Sequence, residues 1–234
     1  MALDARSRDE EWMDTVAVSP DDFASCLGDL GRVNLATRAA APTLAFLRRA
    51  TRSFPREQPL RVLDVGSGGG DGLRRIARWG ARRGQQLDLT GLDLHPHSTL
   101  AAEAVTPPGL PIRYLTGDVF AFDPVLRFDL VVSSLFTHHL ADADVVRFLQ
   151  FMEARASLGW FVNDLHRHAL ALRGFQALSW AAGWHRFVRH DGAVSVKRAF
   201  QVAEWERLLA EAGVTEARLR WFMPFRLCVE RIKR

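Results

Sequence analysis

The sequence predicts an α/β protein: an open, largely parallel sheet with helices packed on both faces. Three observations lead there. The apolar run Leu60-Arg61-Val62-Leu63 passes through a glycine-rich turn, Asp64-Val65-Gly66-Ser67-Gly68-Gly69-Gly70, into an amphipathic stretch from Asp71 to Arg83. That is the pattern of a strand, a tight turn and a helix. Short apolar runs then alternate with helical stretches through residues 60–164, as in a parallel sheet covered on its two faces. With 234 residues, 48% of them hydrophobic, the chain is long enough for one full core.

Taken in order, the elements begin with helices. Over residues 9–53, Trp12, Met13, Phe23, Leu27 and Leu30, then Leu35, Leu44, Phe46 and Leu47, recur at helical spacing. Ser19-Pro20-Asp21-Asp22 supplies a helix start, with serine as N-cap and proline in the first turn. Residues 1–59 thus form an N-terminal helical cap, joined by Phe54 to Pro59 to a core unit over 60–234. Leu87 to Leu92 is the second strand, ending in Asp93, and Pro111 to Leu115 is the third, followed by Thr116-Gly117-Asp118-Val119. Phe128 to Ser134 is the fourth and leads into Leu135-Phe136-Thr137-His138-His139-Leu140. A helix follows from Asp142 to Ala156, with Val145, Val146, Phe148, Leu149 and Met152 on its apolar side, and Leu158 to Asp164 is the fifth strand.

Residues 165–199 are an insert. Ala169 to Trp184 carries Leu170, Leu172, Phe175, Leu178, Trp180 and Trp184, with Arg173 its only charge. A helix apolar on most sides is buried, or faces a greasy ligand or a membrane surface. The insert is therefore either an extra core helix or a lid. Val202 to Ala212 is an amphipathic helix closed by Gly213. Val214 to Trp221 and Phe225 to Ile232 alternate as a terminal antiparallel pair broken at Pro224.

Several classes are excluded. Cys26 and Cys228 stand far apart without histidines at metal spacing, which predicts neither a disulfide scaffold nor a zinc site and suits the cytoplasm. The eight histidines form no set with convincing ligand spacing, so no metal is expected. The first residues lack the apolar segment of a signal peptide, and no run reaches the ~18 apolar residues of a spanning helix. The +4 formal charge comes almost wholly from arginines scattered at outward helix spacings, which gives no nucleic-acid surface. The sequence fixes no oligomeric state.

The glycine turn carries the most chemistry. Glycines at alternate positions let the backbone approach a ligand and adopt φ values closed to other residues, and the preceding carboxylate can meet a positive group. The D-x-G-x-G-x-G spacing is not the dinucleotide fingerprint G-x-G-x-x-G. With Asp93, Asp118 and Ser133 at the following strand ends, the chain resembles the class I S-adenosylmethionine (SAM) dependent methyltransferases. The resemblance implies a Rossmann-like, doubly wound, seven-stranded sheet with an antiparallel C-terminal strand. It implies SAM as cofactor and S-adenosylhomocysteine (SAH) as product. It also implies that Asp64, Gly66, Ser67, Gly68 and Gly70 hold the amino-acid part. Asp93 and Leu94 then serve the ribose, Gly117, Asp118 and Val119 the adenine, and Ser133 closes the set.

The chain has no N-P-P-Y, D-P-P-Y or Pro-Cys motif for methylating bases, so a small-molecule acceptor is expected. Within the family it looks most like enzymes of quinone and aromatic polyketide or resorcinol-type lipid pathways, which implies a hydrophobic aromatic or phenolic acceptor. O-methylation is favoured over C-methylation, with transient membrane-surface contact at most. A base for such an acceptor is expected at His139, in a pattern similar to the family's x-H-H-L-x-D, or at His166 beyond the fifth strand; each also has a purely structural reading. Trp12, Met13, Phe136, His138, Asp164, Trp180 and Trp184 are the expected acceptor contacts. The rival functions are a SAM- or SAH-binding protein with a non-methylating or regulatory role and, less favoured, a dinucleotide-dependent oxidoreductase.

Overall fold

The computed structural model describes residues 3–12, 20–123 and 125–233. Among the described residues two helices precede the sheet: α1 (Pro20–Ala36) and α2 (Ala41–Ala50). The alternation that follows is β1 (Leu60–Val65), α3 (Asp71–Arg83), β2 (Leu87–Asp93), α4 (Pro96–Ala104), β3 (Ile112–Thr116), β4 (Phe128–Ser134), α5 (Asp142–Arg155) and β5 (Ala156–Leu165). The insert makes two helices, α6 (Ala169–Ala181) and α7 (Arg186–Arg198), before α8 (Val202–Glu211), β6 (Arg218–Phe222) and β7 (Arg226–Ile232) close the chain.

The seven strands lie in the order β3-β2-β1-β4-β5-β7-β6. β1 to β5 run parallel, and β7 is antiparallel to both of its neighbours. The expected doubly wound sheet with an antiparallel C-terminal strand is present. The order reverses between β1 and β4, and ligands of open α/β sheets sit beyond the carboxyl ends of strands at such a point.

Strand periodicity sorts the core into two layers. Val62, Leu130, Val132 and Phe161 face α2 and α3, where Phe46, Leu47, Leu73 and Ile76 meet them. Their neighbours Leu63, Val131, Trp160 and Val162 face α5 and α8, against Phe148, Leu149, Met152, Trp205 and Leu208. Buried on both faces, these strands read as continuous apolar runs, and each large side chain removed from water contributes roughly 1.5–3 kcal/mol.

Three details differ from the expectation. β5 starts at Ala156, directly after α5, so helix and strand meet without a loop. β6 starts at Arg218, because Val214 to Ala217 serve as the turn out of α8. The apolar stretch Ala169 to Trp184 is one helix plus a turn, and its helix is not apolar-buried all round: Ala171 is covered, whereas Leu170 and Trp180 are 58% and 73% exposed. α6 and α7 approach closely because Gly192 leaves room for Phe175; a Cβ on Gly192 would lie 2.1 Å from that ring. Trp184, Phe187 and Val188 then pack with Cys26 of α1 in a small satellite core. The insert thus joins the N-terminal helices over the carboxyl edge of the sheet. No helix among the described residues is long and apolar enough to cross a membrane.

Candidate functional site

The glycine loop leaves β1 with Gly66, Gly68 and Gly70 at φ +71°, +51° and +72°. Two of them are also sterically required. A Cβ on Gly66 would lie 2.8 Å from the Phe136 ring, and one on Gly70 would lie 2.2 Å from the Tyr114 hydroxyl. Gly68 faces open space, and its N–H donates to Asp93 Oδ2 at 2.8 Å. Asp93 Oδ1 accepts from the His95 N–H at 3.0 Å. The acid at the end of β2 therefore holds the loop from beneath.

Asp64 is the electrostatic centre of this region. It is buried, and its Oδ1 has no hydrogen-bond partner among the described residues. Burial, then the charges of Asp71 and Asp93, push its pKa up to about 8. A buried carboxyl flanked by two acids is a site made for a cation, because a positive group would offset all three effects. This orphaned oxygen, beside a loop whose middle glycine opens outward, fits the ammonium-bearing end of SAM.

A cavity of about 750 Å³ opens from this point. Asp64, Gly66, Ser67, Gly68 and Asp71 line one end, and its walls are largely apolar, with Leu30, Val33, Leu44, Phe175 and Val196 from the cap and insert. Glu11, His138, His139 and Arg226 also line it. The cap and the insert thus enclose the space above β1 and β4.

The His-His pair sits in a short 3-10 turn, Thr137–His139, after β4. His138 is buried; its Nδ1 lies 2.7 Å from Asp164 Oδ1, and its backbone N–H donates to Asp164 Oδ2 at 3.0 Å. Asp164 also accepts from the Thr137 hydroxyl and, at 2.7 Å, from the Leu165 N–H. On the other side, His138 Nε2 lies 3.6 Å from Glu11 Oε1, and His139 Nε2 lies 3.9 Å from Glu11 Oε2. Both separations are longer than ordinary hydrogen bonds. Ser195 Oγ is 2.7 Å from Glu11 Oε1.

Burial disfavours the charged imidazole of His138, but the Asp164 and Glu11 carboxylates outweigh it and raise its pKa to about 9. Burial would likewise raise Asp164, yet His138 and Thr137 hold it well below the usual carboxylate range. Glu11 follows the same balance and is held at about 2, with burial outweighed by the two histidines and Ser195. The set is one imidazolium between two carboxylates. Its donor atoms in Glu11, His138 and His139 lie within 4.8 Å of one another, a juxtaposition that no spacing in the sequence announces. Two arginines strap the turn: Arg198 donates to the His138 and His139 carbonyls at 3.0 and 2.8 Å, and Arg6 to the His138 and Leu140 carbonyls at 3.2 and 2.9 Å.

Several expected contacts lie elsewhere. His166 does not line the cavity; its Nδ1 accepts from the Trp221 indole N–H at 3.3 Å, its backbone N–H donates to the Phe225 carbonyl, and its ring lies against His168. Asp164 is fully buried and consumed by the histidine turn, so it positions His138 and does not face an acceptor. Ser133 is buried with its hydroxyl donating to the Val65 carbonyl; Ser134 lines the cavity in its place. Trp184 belongs to the satellite core. Trp180 and Trp12 lie in a shallow groove outside the cavity, where Trp12 stacks on His190 at 3.8 Å. Phe136 packs on Gly66 and Phe148 and shapes the loop from behind. Leu94 is exposed, Gly117 N–H donates to the Asp93 carbonyl, and Asp118 caps the short helix that begins at Val119. These residues stand at the carboxyl ends of β2 and β3, outside the cavity lining. Met13 falls outside the described residues.

Glu11, Thr137, Ser195 and Arg226 are functional candidates that periodicity does not expose. Glu11 and Ser195 meet the histidine turn only through tertiary folding, and Arg226 reads in the sequence as one residue of a strand.

The fold is that of the class I methyltransferases. Residues 62–157 match a family model described as a methyltransferase domain. Among solved structures, a plantazolicin methyltransferase bound to a pentazolic desmethyl analogue and SAH superposes with a TM-score of 0.65 at 15% identity, over 89% of this chain and 75% of that one. Human N-acetylserotonin methyltransferase with SAM gives 0.64 at 16% identity, over 92% of this chain but 56% of that one. Magnesium protoporphyrin IX methyltransferase from Synechocystis with SAH gives 0.55 at 16% identity, over 85% and 83%. At such identities the likeness is one of fold. No curated protein matches by sequence.

Proposed function

We propose that this chain transfers a methyl group from SAM to a small, mainly apolar acceptor held in the cavity under the insert. The observation that carries this is the buried Asp64 carboxyl, whose Oδ1 has no hydrogen-bond partner among the described residues, at the start of a glycine loop that shares its cavity with apolar walls. Asp64 and the loop N–H groups would hold the amino-acid end of SAM, and Asp93 the ribose once it gives up Gly68. Asp118 and the backbone of Val119 would receive the adenine. SAM, when bound, supplies a sulfonium-activated methyl group. The chain's task is to orient an acceptor atom, a term worth about 7–11 kcal/mol of barrier, and to accept its proton.

His139 is our candidate base. Both histidines line the cavity, but His138 is held in its charged form by its carboxylates and so has no free ring nitrogen to take a proton at neutral pH. Glu11 orients both rings. An ionisable oxygen on an aromatic, phenolic or quinone-like acceptor is the favoured target, with carbon methylation as the lesser alternative. The likeness to the N-acetylserotonin enzyme supports a small aromatic acceptor by analogy of fold alone. Exposed Leu170 and Trp180 on α6 support transient contact with a membrane surface, and we place the chain in the cytoplasm. Calorimetry with SAM, SAH and NAD tests the cofactor. Product mass after incubation with SAM and a panel of lipophilic phenols tests the transfer. Tight SAH binding with no +14 Da product from any acceptor would favour a SAM-binding protein of regulatory role.

A further inference from the structure

We infer that Arg226 receives an ionised oxygen group of the acceptor, so that the cavity selects an anionic amphiphile over a neutral molecule of equal size. This rests on the small-molecule reading above and specifies its substrate class. Arg226 opens β7 opposite Leu165 of β5. It is 3% exposed and lines the cavity. A guanidinium carries five N–H donors, yet within the chain Arg226 makes one hydrogen bond, from Nη1 to Asn163 Oδ1 at 3.3 Å, and no ion pair among the described residues.

A second buried arginine shows what a satisfied one looks like here. Arg167, 1% exposed, donates to both carboxylate oxygens of Glu204 and to the carbonyls of Leu3 and Ala199. Arg167 is a structural tie, whereas Arg226 keeps donors in hand at the wall of a cavity. Its one hydrogen-bond partner is shared, because Asn163 Oδ1 also faces the Cys228 thiol at 3.6 Å while the Asn163 amide N–H₂ donates to the Ala39 carbonyl at 2.8 Å and to Thr43. Asp164 and Asp71 act on the charge of Arg226, but neither is hydrogen-bonded to it among the described residues, so an anion at the cavity wall would engage the guanidinium's remaining donors in a charge-assisted pair. The planar fork suits a carboxylate or an ionised enol or phenol. The cavity lining thereby carries both acids, Asp64 and Asp71, and a cation, Arg226, among largely apolar residues.

The cofactor's own carboxylate is the other source of such an anion, and the experiment separates the two. Binding of decanoate and of decan-1-ol is measured by calorimetry on the full chain, with and without saturating SAH, near neutral pH. The unaltered protein should bind decanoate at least about ten-fold more tightly than decanol, in line with a charge-assisted hydrogen-bonded pair. Arg226→Gln should erase that preference and leave SAH affinity unchanged, while Arg226→Lys should keep part of it. Equal affinity of the unaltered protein for decanoate and decanol would overturn the inference, and needs no variant. So would a folded Arg226→Gln protein that loses SAH affinity and keeps the decanoate preference, since Arg226 would then serve the cofactor. Failure of the chain to bind SAH at all would sink the methyltransferase reading instead, and the decanoate arm without SAH would still decide the anion site.

Discussion

At the scale of single residues, the strand-end acids divide into two kinds. Asp93 already has two N–H partners, so it stabilises the loop before any ligand arrives. Asp64 has a bare oxygen and a raised pKa of about 8, so it waits for a cation. Asp93→Ala should weaken SAM binding by about 1–3 kcal/mol, the cost of leaving buried groups unpaired; calorimetry on a folded variant checks it, and unchanged affinity removes Asp93 from the ribose site. For Asp64 the sign follows from the direction of its shift. Below pH 8 the free carboxyl is largely protonated, and a bound ammonium needs it ionised. Cofactor binding near pH 7 should therefore release a proton from Asp64, and affinity should rise from pH 6 to 7.5. Calorimetry in buffers of different ionisation enthalpy reads the proton directly, and Asp64→Asn should abolish this release with most of the affinity.

The two histidine candidates also separate here. His139→Ala should lower kcat about 10²–10⁴-fold at nearly constant SAM affinity, with a smaller loss for acceptors of low pKa. His166→Ala, outside the cavity, should change kcat only a few-fold. A large loss in the second variant with none in the first would reverse the assignment.

At the scale of elements, the strands and the glycine turn were legible because their signals are local. The β1 run and its turn lie within eleven residues, Leu60 to Gly70, and an acid marks the ends of β1, β2 and β3, at Asp64, Asp93 and Asp118. The insert was half legible. Its apolar content announced a covered helix, but not that Gly192 on a second helix would take Phe175 and leave Leu170 and Trp180 outward. Periodicity reports which residues want burial and says little about which partner supplies it. The site suffered most where tertiary pairing decides role: Asp164 resembled an acceptor contact, yet His138 consumes it, and Glu11 became visible only once folded against Ser195. Gly192→Val tests the α6–α7 contact. The added side chain should collide with Phe175, lower the melting temperature by several degrees, and raise the acceptor KM more than the SAM Kd. Equal effects on both would mean that the insert does not roof the acceptor.

At the scale of the whole molecule, the buried Asp164–His138–Glu11 series ties stability to pH. His138 has its pKa raised in the folded state to about 9, so its contribution is complete below the unfolded value of about 6.5 and fades as pH rises through 9. Asp164, shifted the other way, contributes above its unfolded pKa of about 3.9 and loses that as pH falls through its lower folded value. Melting temperature should therefore decline from about pH 6.5 to 9 more steeply than in His138→Gln, where this source is gone. Asp164→Ala, which strands a buried imidazolium, should cost roughly 3–5 kcal/mol in chemical denaturation. A parallel pH profile for His138→Gln and the parent would show that the pair does not carry the dependence.

The placement of β7 between β5 and β6 has a consequence for the growing polypeptide. A ribosome delivers β1 to β5 well before β7, the strand that flanks β5, so β5 remains a bare edge until β7 emerges. Exposed edges invite pairing with other chains, and contacts between distant segments are slow to form. The same late strand brings Arg226 to the cavity, while Glu11, made near the start, must wait for the histidine turn and Ser195. Sealing of the sheet and completion of the chamber thus await the same strand, and a chain stalled before β7 would have both an open edge and an unfinished cavity.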